Sequence, residues 1–163
     1  MNRHAIVSTR IGDLTVVASD DVLAGVYFPH HWVKPAPGDL GEQVSPVDGV
    51  LVEAARQLDE YLAGARTSFD LPTVLRGDAF QRRVWSALEE IPYGTTTSYG
   101  EIAARLGDTA QAVGKAVGQN PLCIVVPCHR VVGKNGSLTG YAGGLERKQF
   151  LLDLEEPVTA RLF

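Results

Sequence analysis

Cysteine is scarce in this chain. Only Cys123 and Cys128 occur among 163 residues, too few and too close together for a disulfide framework. The expectation is a reducing, cytoplasmic setting in which both thiols stay free. Long apolar runs are also missing: none approaches the ~20 residues that span a bilayer. The opening Met1-Asn2-Arg3-His4 lacks the apolar stretch of a secretory leader, so no membrane association is expected. Neither sign of charge dominates. Fifteen Lys and Arg against nineteen Asp and Glu give −4, which argues against a non-specific nucleic-acid binder. The deficit is uneven, however. Residues 1–75 carry five basic and ten acidic side chains (−5), residues 76–163 ten and nine (+1). A nucleic-acid face, if present, belongs to the second half, with few phosphate contacts and a modest, salt-dependent affinity. Histidine numbers four. The adjacent His30 and His31 have no further Cys or His nearby, and a zinc site needs about four ligands. They read as surface residues; no metal and no cofactor is expected.

What is present is patterned. His4–Thr9, Thr15–Ser19 and Val22–Phe28 are short β-branched runs, with turns marked by Gly12-Asp13 and Asp20-Asp21. Residues 33–46 hold Pro35, Pro37, Gly38, Gly41 and Pro46 and read as a loop. Val50, Leu51, Ala54, Ala55, Leu58 and Leu62 then recur at helical spacing, and Gly64 marks a stop. This predicts a small α/β unit, an antiparallel sheet plus one helix, over residues 1–75, with 66–77 as connector. Residues 76–163 read as mainly helical. Asp78-x-x-Gln81 is a capping-box pattern ahead of Phe80, Val84, Trp85, Leu88 and Ile91. Ser98-x-x-Glu101 opens a second helix that stops at Gly107. A short turn leads to Ala110–Val117, so the pair reads as a helix-turn-helix. Leu145–Leu154 forms a last helix, with Leu145, Leu151, Leu152 and Leu154 as its apolar positions.

One segment carries chemistry. The apolar run Cys123-Ile124-Val125-Val126 reads as a buried strand, and Pro127-Cys128-His129-Arg130-Val131 follows where it ends. Thiolate rather than thiol is the nucleophile. Arg130 adds positive charge favouring it, and His129 can take the thiol proton through a water. Cys123, without a charge beside it, reads as core. Glu155 ends a helix, where a carboxylate is slightly unfavourable; that hints at use, as the group orienting His129.

Around this segment lie Phe80-Gln81-Arg82-Arg83-Val84-Trp85, Ile91-Pro92-Tyr93-Gly94, Ser98-Tyr99-Gly100-Glu101-Ile102-Ala103, Ala112-Val113-Gly114, Asn120-Pro121 and Gly140 to Leu145. Together, from Asp78 to Glu155, they resemble the O6-alkylguanine-DNA alkyltransferases, also called methylated-DNA–protein-cysteine methyltransferases. Residues 1–75 match that family only in general character. The resemblance implies a ribonuclease H-like N-terminal domain followed by a winged helix-turn-helix-like domain. It implies one-time transfer of an alkyl group from O6 of guanine, with O4 of thymine as a second candidate donor, in double-stranded DNA to Cys128. The base is flipped out of the stack to be reached. By resemblance His129 and Glu155 activate the thiol, and Tyr99 repels the 3′ phosphate and helps protonate the leaving guanine. Asn120 fixes the active-site turn, while Val131, Tyr141 and Ala142 hold the base. Gln111, Ala112, Gly114, Lys115 and Arg130 would meet DNA, and Gln111 stands where the family usually has arginine. A monomer is expected; cooperative binding along DNA is left open.

Three other readings compete. An alkyltransferase-like lesion binder lacks the cysteine that is present here as Cys128. A cysteine hydrolase using Cys128, His129 and an acid would turn over many times. A pure helix-turn-helix regulator would need base readout from residues 109–118, which are mostly Ala, Gly and Val.

Overall fold

The computed structural model describes residues 1–29, 37–47, 49–141 and 143–156. Strands β1 (Asn2–Thr9), β2 (Gly12–Ser19) and β3 (Val22–Tyr27) form an antiparallel meander. The short β4 (Glu42–Gln43) joins the other side of β1, giving the order β3-β2-β1-β4. β4 runs parallel to β1, with Arg3 opposite Glu42 and His4 opposite Gln43. The sheet is therefore mixed rather than purely antiparallel, and part of the expected 33–46 loop is strand. The free edge of β1 recruits these two residues; their own propensity does not. Central β2 is buried from Leu14 to Ala18. Its Leu14, Val16 and Ala18 join the main core, whereas Val17 packs with Tyr27 and Leu40 on the opposite face. Helix α1 (Gly49–Leu62) lays Val50, Leu51, Ala54, Leu58, Tyr61 and Leu62 against the sheet. His30 and His31 lie outside the described residues.

The second half is built from α2 (Ala79–Glu89), α3 (Tyr99–Leu106), α4 (Ala110–Gly118) and α5 (Leu145–Glu155). Two short strands, β5 (Thr97–Ser98) and β6 (Val131–Val132), pair in parallel. The caps follow the sequence signals. Asp78 and Gln81 form the reciprocal box, Ser98 accepts from Glu101 N, and Gly107 takes the left-handed conformation with φ 71° that ends α3. Trp85 Nε1 donates to the Ala116 carbonyl at 2.9 Å, which ties α2 to α4 and gives the buried indole its partner. On α5 the buried positions are Lys148, Leu151 and Glu155. Leu145, expected on the apolar face, is exposed.

One apolar cluster runs through both halves, from Ala5 to Leu151. Edge strand β3 is not left bare. Leu23 exchanges backbone bonds with Pro72 and Val74, and Val26 with Pro121 and Cys123. These pairings satisfy the edge and dock the segment leading to Cys128 directly onto the N-terminal sheet.

Candidate active site

The run Cys123–Val126 is not the predicted strand. It is a tight buried turn in which Ile124 has φ 72°. A short apolar run cannot by itself distinguish a strand from other buried structure. Here Asn120 decides: its Oδ1 accepts from Leu122 N at 3.0 Å and its Nδ2 donates to the Val126 carbonyl at 2.9 Å. The side chain replaces a partner strand for backbone groups that water cannot reach. The turn delivers Cys128 into a 3₁₀ turn, Cys128–Arg130, that runs straight into β6.

Cys128 lies between two environments. On one side a narrow cavity of about 30 Å³ is lined by Tyr99, Gly114, Val117, Gly118, Asn120, Cys123, Cys128, Gly140 and Tyr141. Thus Tyr99 at the start of α3, Asn120, Tyr141 and also Gly114 on α4, expected at the DNA face, line one cavity with the thiol. Tyr99 Oη accepts from Thr139 Oγ1 at 3.1 Å. Gly114 lets the Tyr99 ring lie close to α4; a methyl there would stand 3.7 Å from the ring. Gln111 and Lys115 are exposed on α4, and Ala112 is half-buried. Val131, at the start of β6, is fully buried and does not line this cavity. Ala142 lies outside the described residues.

On the other side is a buried polar cluster. His129 Nε2 meets Glu155 Oε2 at 2.7 Å. Arg130 holds the same carboxylate with a fork, Nε to Oε1 at 2.7 Å and Nη2 to Oε2 at 3.0 Å, and its Nη1 donates to the Ile91 carbonyl at 2.6 Å. The Tyr61 hydroxyl donates to Glu155 Oε2, and the Gly94 backbone N–H also favours the charged carboxylate. Burial pushes Glu155 up to about 8. The guanidinium fork and the surrounding donors oppose that shift, since they bond to the charged form. Burial pulls Arg130 down to about 10, so it stays charged at neutral pH. Arg130, expected at the DNA face, is thus a buried partner of Glu155. The carboxylate that claims it lies 25 residues further along the chain, too distant for local sequence to reveal.

His129 is completely buried, and burial holds its imidazole well below the usual range, with the Arg130 and Lys148 charges adding to the effect. It is a neutral base at neutral pH. Its Nδ1 has no hydrogen-bond partner among the described residues. With Nε2 committed to Glu155, Nδ1 is the nitrogen left to take a proton.

Cys128 itself is held below the ordinary cysteine value. The Cys123 thiol, donating to the sulfur, is the largest cause. Burial opposes it, while the Asn120 amide, the Lys148 charge and the Tyr141 hydroxyl reinforce it. Cys123 correspondingly stays protonated, its thiol pushed well up by burial. So Cys123 is core, as expected, but also lines the cavity beside the nucleophile.

Two residues escaped the sequence reading. Lys148 is completely buried on α5 and donates from Nζ to the Val131 carbonyl at 2.6 Å and the Thr139 carbonyl at 3.3 Å. It clamps β6 to the loop before Tyr141 and supplies the cation that the sequence reading assigned to Arg130. Its signal was a lysine at i−3 to Leu151 and i−7 to Glu155, on their helix face. Tyr61 was hidden in the apolar stripe of α1.

Known proteins resemble this chain throughout. A family profile described as "6-O-methylguanine DNA methyltransferase, ribonuclease-like domain" matches residues 2–75, and "6-O-methylguanine DNA methyltransferase, DNA binding domain" matches residues 79–157. A methylated-DNA–protein-cysteine methyltransferase of Mycolicibacterium paratuberculosis is 47% identical, covering 100% of this chain and 99% of its own length. One from Methanosarcina acetivorans is 56% identical, over 93% and 97%. The crystal structure of Mycobacterium tuberculosis OGT in complex with DNA aligns with TM-score 0.81 and 42% identity, over 99% of both chains. With both profiles matched in order and a cysteine of lowered pKa beside a buried His–Glu pair, the chain belongs to the 6-O-methylguanine-DNA methyltransferase family.

Proposed function

We propose that this protein repairs DNA by moving the alkyl group of O6-alkylguanine, or of O4-alkylthymine, onto Cys128. The observation that carries this reading is the position of the thiol. It lines one cavity together with Tyr99 at the start of α3, Gly114, Val117 and Gly118 of α4, and Tyr141. A nucleophile so placed meets a base presented by duplex DNA. The lesion lies inside the stack and is flipped out to reach it.

His129 takes the Cys128 proton by way of a bridging water, and Glu155 stabilises the imidazolium that forms. The thiolate attacks the alkyl carbon in line; the carbon–O6 bond breaks and guanine leaves as an anion. Tyr99 helps return a proton to it. Asn120 holds the turn rigid, and Val131, Tyr141 and Ala142 frame the base. Gln111, Ala112, Gly114 and Lys115 face the duplex. The product is a thioether, which offers water no acyl centre to attack. Each protein therefore acts once and needs no cofactor.

We read the chain as two domains, residues 1–75 and 76–163, working as a monomer. Two free buried thiols suit a reducing cytoplasm. Among the described residues no helix is long and apolar enough to cross a membrane. Intact-mass measurement after incubation with an O6-methylguanine duplex tests the reading. One added methyl, mapped to Cys128 and never exceeding one per chain, is the expected result. Release of free alcohol with repeated turnover would replace it with a hydrolase.

A further inference from the structure

We propose that Tyr61 is a positioning residue for the thiol chemistry: from the N-terminal half, its hydroxyl fixes the Glu155 carboxylate against His129. The inference deepens the proposed relay and rests on it.

Tyr61 ends the buried face of α1 and is 1% exposed. A buried phenol needs a polar partner. The partners here are Glu155 Oε2 and, at 3.5 Å, His129 Nε2, 94 and 68 residues away in sequence. The ring is fixed by Phe69 at 5.0 Å and Tyr93 at 6.0 Å between centroids, and Tyr93 in turn lies under the Arg130 guanidinium at 5.6 Å. An apolar enclosure thus surrounds the acid end of the relay, and a single hydroxyl reaches into it from α1.

The chemistry of that end is selective. Glu155 Oε2 receives Tyr61 Oη–H, His129 Nε2 and Arg130 Nη2, while Oε1 receives Arg130 Nε. A ring of donors favours the carboxylate over the acid, which would have to find an acceptor for its own proton. Glu155 must stay ionised to stabilise the imidazolium formed when His129 takes the Cys128 proton. Burial pulls the other way. Removing one donor lets burial gain, so more Glu155 is protonated at neutral pH and His129 loses basicity. Raising the pH ionises Glu155 again and restores the relay. The N-terminal half is therefore part of the activating machinery and not only a support for the sheet.

The test uses the full chain with Tyr61→Phe, which keeps the ring and deletes the hydroxyl. Two rates are followed against pH: transfer from an O6-methylguanine duplex, and carbamidomethylation of Cys128 by iodoacetamide read by peptide mass. We expect both to fall on the order of tenfold at neutral pH, the scale of one hydrogen bond to a charged group. They should converge with the parent protein at alkaline pH. In a Glu155→Gln background the same substitution should change nothing, because Tyr61 acts through Glu155. An unshifted profile, a loss equal at every pH, or the same loss in both backgrounds would overturn the proposal. If Glu155→Gln moves the profile and Tyr61→Phe does not, only the role of Tyr61 fails; if Glu155→Gln also leaves it unmoved, the relay itself fails. A second arm keeps the test decisive if Tyr61→Phe folds poorly. A ring-fluorinated tyrosine at position 61, a stronger donor of the same shape, should move the acid limb to lower pH; no movement, or movement upward, overturns the proposal.

Discussion

Cys128 has two sides, and they are built on opposite plans. Behind it, His129, Arg130 and Glu155 are buried and joined by short polar bonds, and buried Lys148 donates to the Val131 carbonyl. In front, α4 offers Gln111 and Lys115 to solvent, with small Ala112 and Gly114 between them. Buried charges persist only when closely paired, so the rear cluster is rigid and intolerant. The front has little to lose, since exposed single charges contribute weakly and are screened by salt. On the proposed function, reactivity is set by the core, and the α4 face governs access. Substitutions should separate accordingly.

The largest effect belongs to the atom shared by both sides. Cys128→Ala should abolish alkyl transfer in a single-turnover assay while leaving duplex binding intact in a gel-shift or anisotropy titration. Loss of binding together with transfer would mean that the two sides are not separable. Next comes Arg130→Met, which strips Glu155 of its fork and leaves a buried carboxylate. It should cost about 3–5 kcal/mol in denaturant unfolding, the penalty for breaking a buried ion pair. Lys115→Met on the exposed face should leave the unfolding midpoint in place.

Lys148→Met should act on rate more than on stability. The cation favours the thiolate of Cys128, so its loss raises the thiol's pKa. The thiolate fraction then falls at neutral pH and recovers as pH rises through the new value. A one-unit rise corresponds to about a tenfold slower reaction at neutral pH. A pH-independent loss would point to a collapsed loop near Tyr141 instead. The smallest effect on chemistry should come from Gln111→Arg. The slope of log affinity against log salt should steepen by about 0.9 for one added phosphate contact. Duplex repair should speed up, because a guanidinium stacks well in a vacated base position. Reaction with the free base O6-benzylguanine should scarcely move. If both rates rise together, Gln111 does not face the vacated stack.

The front of the site was far more legible in sequence than the rear. Asp78, Gln81, Ser98 and Gly107 announce their helix ends by local hydrogen bonding and backbone conformation, so the helix-turn-helix could be placed from spacing alone. Tyr99, Asn120, Tyr141 and Cys128, each picked out by its motif, line one cavity. The rear depends on contacts between residues far apart in the chain. Nothing near Arg130 says that it turns inward toward Glu155. Lys148 resembles any surface lysine until its place on the Leu151 face is noticed. Tyr61 reads as one more apolar residue between Leu58 and Leu62. The turn at Ile124 reads as strand in sequence because its apolar composition carries no trace of the Asn120 bonds that shape it.

If the core alone sets reactivity, Cys128 must be activated before any DNA is present. The most direct measurement is the pH dependence of Cys128 carboxymethylation in the DNA-free protein, followed by peptide mass so that Cys123 is scored apart. The account predicts a midpoint below that of an ordinary cysteine, with Cys123 unreactive across the same range. A midpoint at or above the ordinary value, falling only when duplex DNA is added, would contradict it and move the source of activation to the DNA face.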